Sequence, residues 1–479
     1  MSEVKTQEFQ RASARAVLDP KLRKALKGMG GFDQARQRAI QDIGPEVWED
    51  LRNRARQIKH HTLENLDYYL AMLADRVTQA GGVVHFAKDA REANTIVAEV
   101  ARSRNVRLIT KSKSMVSEEM GLNHLLEEMG IEVVESDLGE FIIQLARETP
   151  SHIIAPAMHK SKEEVGDLFQ RHLAAQGLES IEDMARTARR VLRDKFLKAD
   201  MGITGANFMV AETGTIMLVT NEGNGRFCTS APRIQVTIAG MEKVVPSLED
   251  LSVFIRLLPR AATGQRITSY TTFVTGPRRP EDEDGPEEFH LIIVDNGRSR
   301  LLRDPELREA LYCIRCGACL NTCPVYRNVG GHAYGWVYSG PIGAVVTPML
   351  VGLPKAKDLP YASSLCGACR EVCPIKINIP HMLLKLRHRL VESPLPQERK
   401  TSLMESLTFK VWYQLMTRPR LMGAFRAAGR VLQAPLARQG RIRRLPIPPF
   451  SRWTRARDLP ALPKETFRQI WAKRLSSRE

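Results

Sequence analysis

The chain has 479 residues, of which 43% are hydrophobic, and it carries a formal net charge of +17. This length has room for about three domains with sizeable cores. The sequence contains no apolar run of about 18 residues, which excludes a membrane-spanning helix. Residues 381–479 hold 22 Lys and Arg against 6 Asp and Glu. Nearly all the excess charge therefore lies in the last fifth of the chain, and the rest is close to neutral.

The first 80 residues are predicted to be helical. Apolar side chains recur at three- and four-residue steps in residues 32–43 and 47–77, the spacing of one helix face. Gly81-Gly82 is typical of the end of a helix.

Short apolar strands then alternate with helices. The predicted strands are 83–86, 106–109, 131–134 and 152–155, and the predicted helices are 90–102, 117–129, 140–147 and 162–176. This alternation with short connections predicts a parallel sheet covered by helices on both faces. From residue 202 to 296 strands and turns dominate, with strands predicted at 215–220, 233–238, 269–275 and 289–294.

Seven of the eight cysteines lie in one 61-residue window, in two runs that each end in Cys-Pro. The runs read Cys313-x2-Cys316-x2-Cys319-x3-Cys323-Pro324 and Cys366-x2-Cys369-x3-Cys373-Pro374. The first has the spacing that holds cubane iron–sulfur clusters in two-cluster ferredoxins. The pattern therefore predicts two [4Fe-4S] clusters and one-electron chemistry.

The fourth cysteine of such a run ligates the other cluster. Cluster one is accordingly assigned to Cys313, Cys316, Cys319 and Cys373, and cluster two to Cys323, Cys366 and Cys369. By the same spacing, the missing fourth ligand of cluster two falls at Ser363. A serine alkoxide, a water or a partner's side chain can fill this place, and a [3Fe-4S] cluster is the further alternative.

Other uses of these cysteines fit less well. Structural zinc uses paired C-x2-C knuckles, which seven cysteines with two Cys-Pro ends do not resemble. No hydrophobic signal segment follows Met1, so a cytoplasmic chain with reduced thiols is expected. The isolated Cys228 is interpreted as a buried small residue rather than a nucleophile.

The 42 residues between Cys323 and Cys366 exceed what a compact ferredoxin hairpin needs, which indicates a helical two-cluster module. Its aromatic residues Tyr334, Trp336 and Tyr338 are predicted to pack this insert, and a contact near a cluster is the alternative.

The cluster runs, together with the segments 205–215 (GANFMVAETGT) and 111–115 (KSKSM), resemble the lactate utilization protein B family over nearly the whole chain. That family is the iron–sulfur subunit of a bacterial three-protein system that oxidises L-lactate to pyruvate. Its first half is a lactate-utilisation domain related to sugar-phosphate isomerases and CoA transferases. The family also has seven cluster cysteines rather than eight, so Ser363 agrees with it.

The resemblance implies an α/β protein in four parts: an N-terminal helical region (1–80), a parallel-sheet lactate-utilisation domain (81–300), an α-helical two-cluster ferredoxin module (301–390) and a basic C-terminal extension (391–479). It supplies no lactate-binding residues. From the residue types, the substrate-site candidates are Lys111, Lys113, Glu212, Thr213, Thr215 and Asn221. Lysine ammonium groups hold carboxylates, and the turn around Gly214 offers hydroxyls; a solvated lysine pair and a plain turn are the alternative.

The basic tail interleaves arginines with aromatic residues, including Trp412, Trp453 and Trp471. The tryptophans favour docking onto a partner subunit. Peripheral contact with an anionic membrane surface on its inner face is the second interpretation. Nucleic acid is the weakest, since no helix-turn-helix or RNA-binding signature is present.

The sequence thus predicts an electron-transfer subunit of an L-lactate-oxidising complex, with the other subunits of that system as partners. An iron–sulfur sensor that binds nucleic acid through its tail is one alternative. A self-contained isomerase- or transferase-like enzyme is the other, although it leaves the clusters without a role. No G-x-G-x-x-G follows a strand and no flavin motif is evident, so the site of the two-electron step is left open.

Overall fold

The structure, a computed structural model, describes residues 3–393, 403–445, 451, 454 and 457–476. The chain divides into two compact units, residues 1–399 and 400–479. No helix formed by the described residues is long and apolar enough to cross a bilayer.

The N-terminal region is helical, as predicted. Its α-helices are α1 (Phe9–Ala16), α2 (Pro20–Lys27), α3 (Gly30–Ile43), α4 (Pro45–Glu64) and α5 (Leu66–Gln79). The apolar pattern over 47–77 predicts one continuous run, but the chain leaves helical geometry at Asn65, where φ is −121° and ψ is 36°. The run is therefore divided into two helices, α4 and α5, and both bury apolar side chains in the core.

Strands and helices then alternate from residue 83 to residue 294. The strands are β1 (Val83–Ala87), β2 (Leu108–Lys111), β3 (Glu132–Glu135), β4 (Met201–Thr204), β5 (Phe208–Val210), β6 (Thr215–Thr220), β7 (Ile234–Gly240), β8 (Val244–Val245), β9 (Tyr270–Val274) and β10 (Glu288–Val294). The helices are α6 (Ala90–Ser103), α7 (Met115–Met120), α8 (Leu122–Glu128), α9 (Leu138–Ala146), α10 (Lys162–Leu173), α11 (Ile181–Lys198), α12 (Asn224–Ser230) and α13 (Leu248–Ala262).

The main sheet is parallel throughout and has the strand order β1-β10-β7-β4-β2-β3. Its central strands are fully buried, with Ile203, Val236 and Ile292 at 0% exposure. Such buried, β-branched strands are what a parallel sheet covered on both faces requires. The α/β class with a parallel-sheet core is therefore confirmed.

A second sheet, of order β8-β5-β6-β9, lies beside the first and is mostly antiparallel. It packs against α4 and α13. Strands 215–220, 233–238, 269–275 and 289–294 were all predicted, but they belong to two sheets: β7 and β10 complete the parallel sheet, whereas β6 and β9 form the small one.

The strand predicted at 152–155 is wrong. These residues form a bend, because the ring nitrogen Nδ1 of His152 accepts the backbone N–H groups of Ile154 (3.1 Å) and Ala155 (3.2 Å). The apolar side chains of this segment turn toward the cysteine-bearing module instead of joining the sheet, which ends at β3.

The cysteine-bearing module is helical and continues the same compact unit. Its helices are α14 (Arg298–Leu302), α15 (Ala318–Thr322), α16 (Tyr326–Val329), α17 (Gly340–Val351), α18 (Ala368–Glu371) and α19 (Ile379–Glu392). The apolar helix α17 comes from the insert between the cysteine runs, and it is buried from Gly340 to Pro348. Tyr334, Trp336 and Tyr338 are buried as well. Burial agrees with packing of the insert, but Tyr338 also lies under Arg315 of the first cysteine run, which agrees with the alternative of a contact near a cluster.

A buried ion-pair network joins this module to the sheet domain. The Arg298 guanidinium donates to both carboxylate oxygens of Glu119 (3.0 and 2.9 Å) and to Glu242 (2.7 Å), while the hydroxyl of Tyr338 donates to Glu119 (2.6 Å). Arg298 and Glu119 are 1% and 0% exposed. Fully paired buried charges of this kind hold neighbouring elements in one arrangement, since losing one partner leaves the others unpaired.

The second unit contains α20 (Leu403–Thr417), α21 (Pro419–Gln433), β11 (Arg441–Ile442), β12 (Leu459–Pro460) and α22 (Phe467–Ser476). Helices α20 and α21 pack on one another, and β11 pairs antiparallel with β12. Trp412 and Trp471 are exposed at 55% and 53%. Trp453 lies outside the described residues.

Candidate functional site

Four of the cluster cysteines face one enclosed space. Cys313, Cys316, Cys319 and Cys373 line the same cavity, together with apolar residues such as Ile153 and Ile377. Cys313 is half-buried and the other three are buried. Four soft thiolate donors around one apolar space are the donor set that a cubane cluster takes.

The backbone explains how two-residue gaps bring these sulfurs together. Arg315 and Gly317, on either side of Cys316, both adopt left-handed conformations, with φ of 61° and 73°. The second run repeats this geometry at Leu365 (φ 55°) and Gly367 (φ 85°) around Cys366. Alternating conformations of this kind make concave nests of backbone N–H groups, a feature of iron–sulfur sites.

The Cys-Pro ends of the two runs also correspond. The backbone N–H of Tyr326 points to the sulfur of Cys323 at 3.5 Å, and that of Ile377 points to the sulfur of Cys373 at 3.4 Å. Hydrogen bonds to ligand sulfur are one of the means by which a protein sets a cluster's reduction potential.

The remaining three cysteines form a second group. Helix α15 packs against α18, which brings Cys323 toward Cys366 and Cys369. Burial and the charges of Cys323 and Cys366 together raise the pKa of the Cys369 thiol to about 12. Cys366 is exposed, and hydrogen bonds from the backbone of Ala368 and the side chain of Ser364 lower the pKa of its thiol. This group therefore lies nearer the surface than the first.

Ser363 stands three residues before Cys366, as Cys313 stands before Cys316. Its hydroxyl oxygen accepts the backbone N–H of Leu365 at 3.1 Å, and its carbonyl accepts from the Arg387 guanidinium at 3.0 Å. The second group thus offers three thiols, and Ser363 holds the sequence position of a fourth ligand.

Helix α4 braces the loop that follows the second run. The Arg52 guanidinium donates to the carbonyl of Cys373 from Nε (3.1 Å) and Nη2 (2.9 Å), and to the carbonyl of Glu371 (2.9 Å). One turn further, Arg56 donates to the carbonyl of Lys376 at 2.8 Å. The N-terminal helices are therefore part of the support for the first group of cysteines.

A cavity of about 420 Å³ lies between the sheet and the first group of cysteines. Its wall is formed by residues that follow β2, β4 and β7, by α13, and by Arg315, Cys316 and Tyr338. The carboxyl edge of a parallel sheet is the usual position of ligand sites in open α/β domains. The volume lies within the roughly 300–1,000 Å³ range of small-molecule sites.

Among the described residues, six charged ones line this cavity: Lys113, Asp137, Glu222, Glu242, Lys243 and Arg315. Glu242 and Lys243 lie in the turn after β7, and Arg315 lies in the first cysteine run. Burial would raise the pKa of the Glu242 carboxyl, yet the charges of Arg298 and Arg315 lower it to about 2. Burial lowers the pKa of the neighbouring Lys243 ammonium to about 8, although the charge of Glu242 raises it. Arg315 lies over the ring of Tyr338, 4.4 Å from its centroid.

Lys111 does not face this cavity. Its side chain is 0% exposed, and its ammonium contacts the carboxylates of Glu135 (2.7 Å) and Glu118 (3.1 Å) and the hydroxyl of Ser117 (3.2 Å). Burial alone would lower the pKa of Lys111, but the charges of Glu135, Glu118 and Glu140 raise it above its ordinary value. Burial and the charge of Glu135 raise the pKa of the Glu140 carboxyl well above its ordinary range. Lys111 is therefore the counter-ion of an internal carboxylate cluster.

The structure divides the other substrate-site candidates between two places. Lys113 and Asn221 line the cavity, and Lys113 also donates to the carbonyl of Ile154 at 3.0 Å. Glu212, Thr213 and Thr215 are absent from the described lining of that cavity. Glu212 instead accepts the backbone N–H of Leu248 at the start of α13 (3.2 Å), and Thr213 donates to Thr215 (2.8 Å).

Cys228 is 0% exposed, and burial raises the pKa of its thiol to about 11. It is a buried small residue, as predicted.

The sequence-based candidates omitted Lys243 and Arg315, two cationic residues that line the same cavity as Cys316. Arg315 stands inside the first cysteine run, so its proximity to a cluster site was readable from the spacing. Lys243 follows the carboxyl end of β7. Ligands of open α/β sheets usually bind at the carboxyl ends of the strands, so this position is a candidate ligand site. The position of Lys243 gives no local signal, because the membership of β7 in the parallel sheet depends on pairing with β4 and β10.

Fold and site together define a class: an iron–sulfur protein in which a parallel α/β domain is joined to a helical cluster-binding module. Comparison with known proteins agrees. The chain matches the family descriptions "LUD domain" over residues 70–294, "4Fe-4S dicluster domain" over 309–377 and "Lactate utilisation protein B, C-terminal" over 385–476.

Curated relatives named "Lactate utilization protein B" match over most of their length. The chain is 49% identical to that of Bacillus licheniformis over 428 residues, 89% of this chain and 88% of the relative. It is 48% identical to that of Bacillus subtilis (strain 168), over 92% and 90% of the two chains, and 48% identical to that of Geobacillus kaustophilus, over 95% and 94%. The chain belongs to the lactate utilization protein B family and carries iron–sulfur clusters of the 4Fe-4S type.

Among solved structures, a DUF162 family protein from Deinococcus radiodurans matches 48% of this chain and 98% of its own, with 15% identity and a TM-score of 0.28.

Proposed function

We propose that this protein is the electron-transfer subunit of an assembly that oxidises L-lactate to pyruvate, which allows growth on lactate. The observation that carries the proposal is the position of Cys316. It lines both the four-cysteine cavity and the 420 Å³ cavity at the carboxyl edge of the sheet. A substrate held in the larger cavity is therefore next to a candidate cluster ligand.

The cluster ligands are part of the proposal. Cys313, Cys316, Cys319 and Cys373 hold the first cluster, and Cys323, Cys366 and Cys369 hold the second, with Ser363 as its candidate fourth ligand. When bound, these clusters supply one-electron transfer. Support comes from the grouping of the thiols: the first four line one cavity, and helix α15, which ends before Cys323, packs against α18, which contains Cys369.

The chemistry defines what the assembly as a whole has to do. Conversion of lactate to pyruvate removes two electrons and two protons from one carbon–oxygen unit, whereas iron–sulfur clusters accept single electrons. A two-electron acceptor from a partner subunit therefore completes the reaction. Lys113 and Asn221 remain candidate substrate-contacting residues because they line the cavity. A structural role is favoured for the other four candidates. Lys111 is paired with carboxylates, and Glu212, Thr213 and Thr215 lie outside the cavity lining.

The four segments divide these tasks. Residues 1–80 support the cluster module, 81–300 hold the substrate, 301–390 bind the clusters, and 391–479 bind a partner subunit. The tail supports this assignment because its helices expose large apolar side chains, among them Phe409, Trp412 and Trp471 at 61%, 55% and 53%. Exposed apolar patches rimmed by charge mark interaction surfaces. Contact with an anionic membrane surface is the alternative role of this tail. We propose that the assembly is cytoplasmic, because the reducing conditions of the cytoplasm suit thiolate ligands.

The test is an anaerobic titration of the oxidised protein with L-lactate, followed through the brown iron–sulfur absorbance. We expect bleaching when the protein is combined with its co-purifying partners. Bleaching of the protein by itself would place the oxidation site within this chain. An unchanged spectrum in both experiments would contradict the lactate assignment and would direct the search to other 2-hydroxy acids.

A further inference from the structure

We propose that the 420 Å³ cavity binds the carboxylate group of a short-chain 2-hydroxy acid, with Lys243 and Arg315 as its cationic anchors. The inference rests on the proposed function and deepens it, because it names the binding residues of the same site. It starts from two cationic groups of the cavity wall, the Lys243 ammonium and Nη1 of Arg315, that have no hydrogen-bonded acceptor among the described residues. The acidic residues of the wall, Asp137, Glu222 and Glu242, are hydrogen-bonded to other groups.

Lys243 provides the first part of the argument. It is 8% exposed and lines the cavity. Within the described parts of the chain, its ammonium makes no hydrogen bond or ion pair. The adjacent Glu242 is already engaged by Arg298 at 2.7 Å. A largely buried cation that borders a cavity and has no bonded acceptor is suited to an anion that enters the cavity, since burial of an unpaired charge is costly.

Arg315 provides the second part. Its Nη1 is buried and has no hydrogen-bond partner among the described residues. Its Nη2 lies 3.8 Å from Glu242, beyond hydrogen-bond distance, and its guanidinium lies on the ring of Tyr338. The stacking fixes the plane of the guanidinium, and a fixed guanidinium offers the paired N–H groups that a carboxylate accepts.

The remaining lining favours a small polar ligand over an apolar one. The hydroxyl of Thr220 and the side-chain carbonyl of Asn224 are buried, line the cavity and have no partner among the described residues. A ligand that carries a hydroxyl beside its carboxylate can satisfy such groups. The exposed Glu222 and the half-buried Thr268 also belong to the wall, so the cavity is open to solvent on that side.

One other role for these cations needs to be separated by experiment. Lys243 and Arg315 lie near Cys313. The alternative role is that they act solely as counter-ions to the thiolates of the first cluster and bind no substrate. In that case their loss would change the reduction potential of the cluster and leave carboxylate binding unaffected.

The test uses the full-length protein with both clusters loaded, oxidised and kept without oxygen. Equilibrium binding of L-lactate, pyruvate and oxalate is measured by calorimetry for the wild type, Lys243→Met and Arg315→Lys. We expect Lys243→Met to weaken binding of the carboxylates by about tenfold or more, the size expected for a lost charge-assisted hydrogen bond. Lys355→Met is the matched control, because it removes an exposed lysine that does not line the cavity.

Arg315 stands between candidate cluster ligands, so its variant is interpreted only if its iron content equals that of the wild type. Ala262→Phe gives an independent route, because Ala262 lines the cavity on α13 and a phenyl ring there fills part of it without removing a charge. Loss of carboxylate binding in Lys243→Met and in Ala262→Phe, with clusters intact, supports the site.

Several results would overturn the proposal. These are the absence of wild-type binding for all three carboxylates, unchanged dissociation constants in both variants, or a shifted cluster potential with unchanged binding. Failure of the proposed function is a separate result: carboxylates bind through Lys243, yet L-lactate bleaches no cluster with partners present. If both variants bind lactate with wild-type affinity and lactate still bleaches the clusters with partners present, the carboxylate site is wrong and the proposed function stands.

Discussion

Cys366 is exposed to solvent, whereas Cys316, Cys319 and Cys373 are buried. Exposure of a cluster ligand admits oxygen and chelators, and the second cluster also lacks a fourth thiolate. We therefore expect cluster two to be lost first when anaerobically purified protein is exposed to air or to an iron chelator. Iron content and electron paramagnetic resonance spectra taken over time check this. Equal rates of loss for the two clusters would contradict it.

Ser363 allows a direct test of the missing ligand. In Ser363→Cys a thiolate replaces a hydroxyl at the position that corresponds to Cys313, and thiolate is the softer ligand for iron. We expect slower loss of cluster two in this variant, measured as retained iron and absorbance after exposure to air. Ser363→Ala is the matched control and is expected to be no more stable than the wild type. A Cys variant that loses iron at the wild-type rate would place the fourth ligand elsewhere.

Lys111 is expected to matter for stability rather than for substrate binding. Lys111→Met leaves Glu118 and Glu135 without the ammonium that they contact at 3.1 and 2.7 Å. Breaking a buried pair in this way costs about 3–5 kcal/mol of unfolding free energy. Anaerobic denaturant unfolding measures the loss. Lys113→Met serves as the comparison, because Lys113 donates to one backbone carbonyl, and its loss should be clearly smaller. A stable Lys111→Met protein with weakened lactate binding would restore Lys111 to the substrate site.

At the scale of elements, the loops that carry the cysteines depend on helices far away in sequence. Helix α4 holds the loop after Cys373 through Arg52 and Arg56, and α3 contributes Asp33, which pairs with Arg327 at 2.7 Å. Loops of this kind carry few backbone hydrogen bonds of their own, so neighbouring elements must satisfy their carbonyl groups.

The role of α4 gives a prediction at this scale. Arg52→Met removes the side-chain donor of the Cys373 and Glu371 carbonyls. The Cys373 carbonyl keeps the backbone N–H of Lys376 (3.1 Å), whereas the Glu371 carbonyl loses the donor that Arg52 supplies, at a cost of roughly 1–3 kcal/mol. We expect faster release of iron from cluster one under a chelator, followed by absorbance. Arg54→Met, on the same helix, is the control, because Arg54 is half exposed and lies 3.9 Å from Glu249. If both variants release iron at the wild-type rate, α4 does not support the cluster.

At the scale of the whole molecule, two compact units carry different kinds of surface. The first unit buries most of its apolar residues, whereas the described helices of the second expose most of theirs next to arginines. A unit with exposed apolar helices gains stability when a partner covers them.

This contrast predicts what changes in the second unit will do. The full chain with Phe409→Ser and Trp412→Ser should keep its clusters and lose co-purification with the other subunits, because both side chains are exposed on α20. Lys410→Gln on the same helix is the control. Size-exclusion chromatography of the assembly and iron analysis give the two readouts. If partner binding persists, and the protein instead binds anionic vesicles in a salt-sensitive way, the tail is a membrane-binding element.

Much of the architecture was predictable because it depends on local pattern. Strand–helix alternation gave the parallel sheet, since apolar strands of a few residues and capped helices are local features. The cysteine runs indicated iron–sulfur clusters because spacings of two and three residues fix which sulfurs a short turn can bring together. Segment 152–155 is an exception with a tertiary cause. It has the composition of a strand, but it forms a bend that packs against the cysteine-bearing module.

The sequence by itself determined the cluster chemistry, the α/β class and the concentration of charge in the tail, because each follows from residue type and short spacing. Only the tertiary structure decided which cations face the cavity. Lys111 and Lys113 are two residues apart, yet one is bound within a carboxylate cluster and the other lines the cavity. Lys243 and Arg315 are 72 residues apart in sequence and meet at the same wall. The environment of a charged side chain depends on which distant elements pack around it, and no local pattern contains that information.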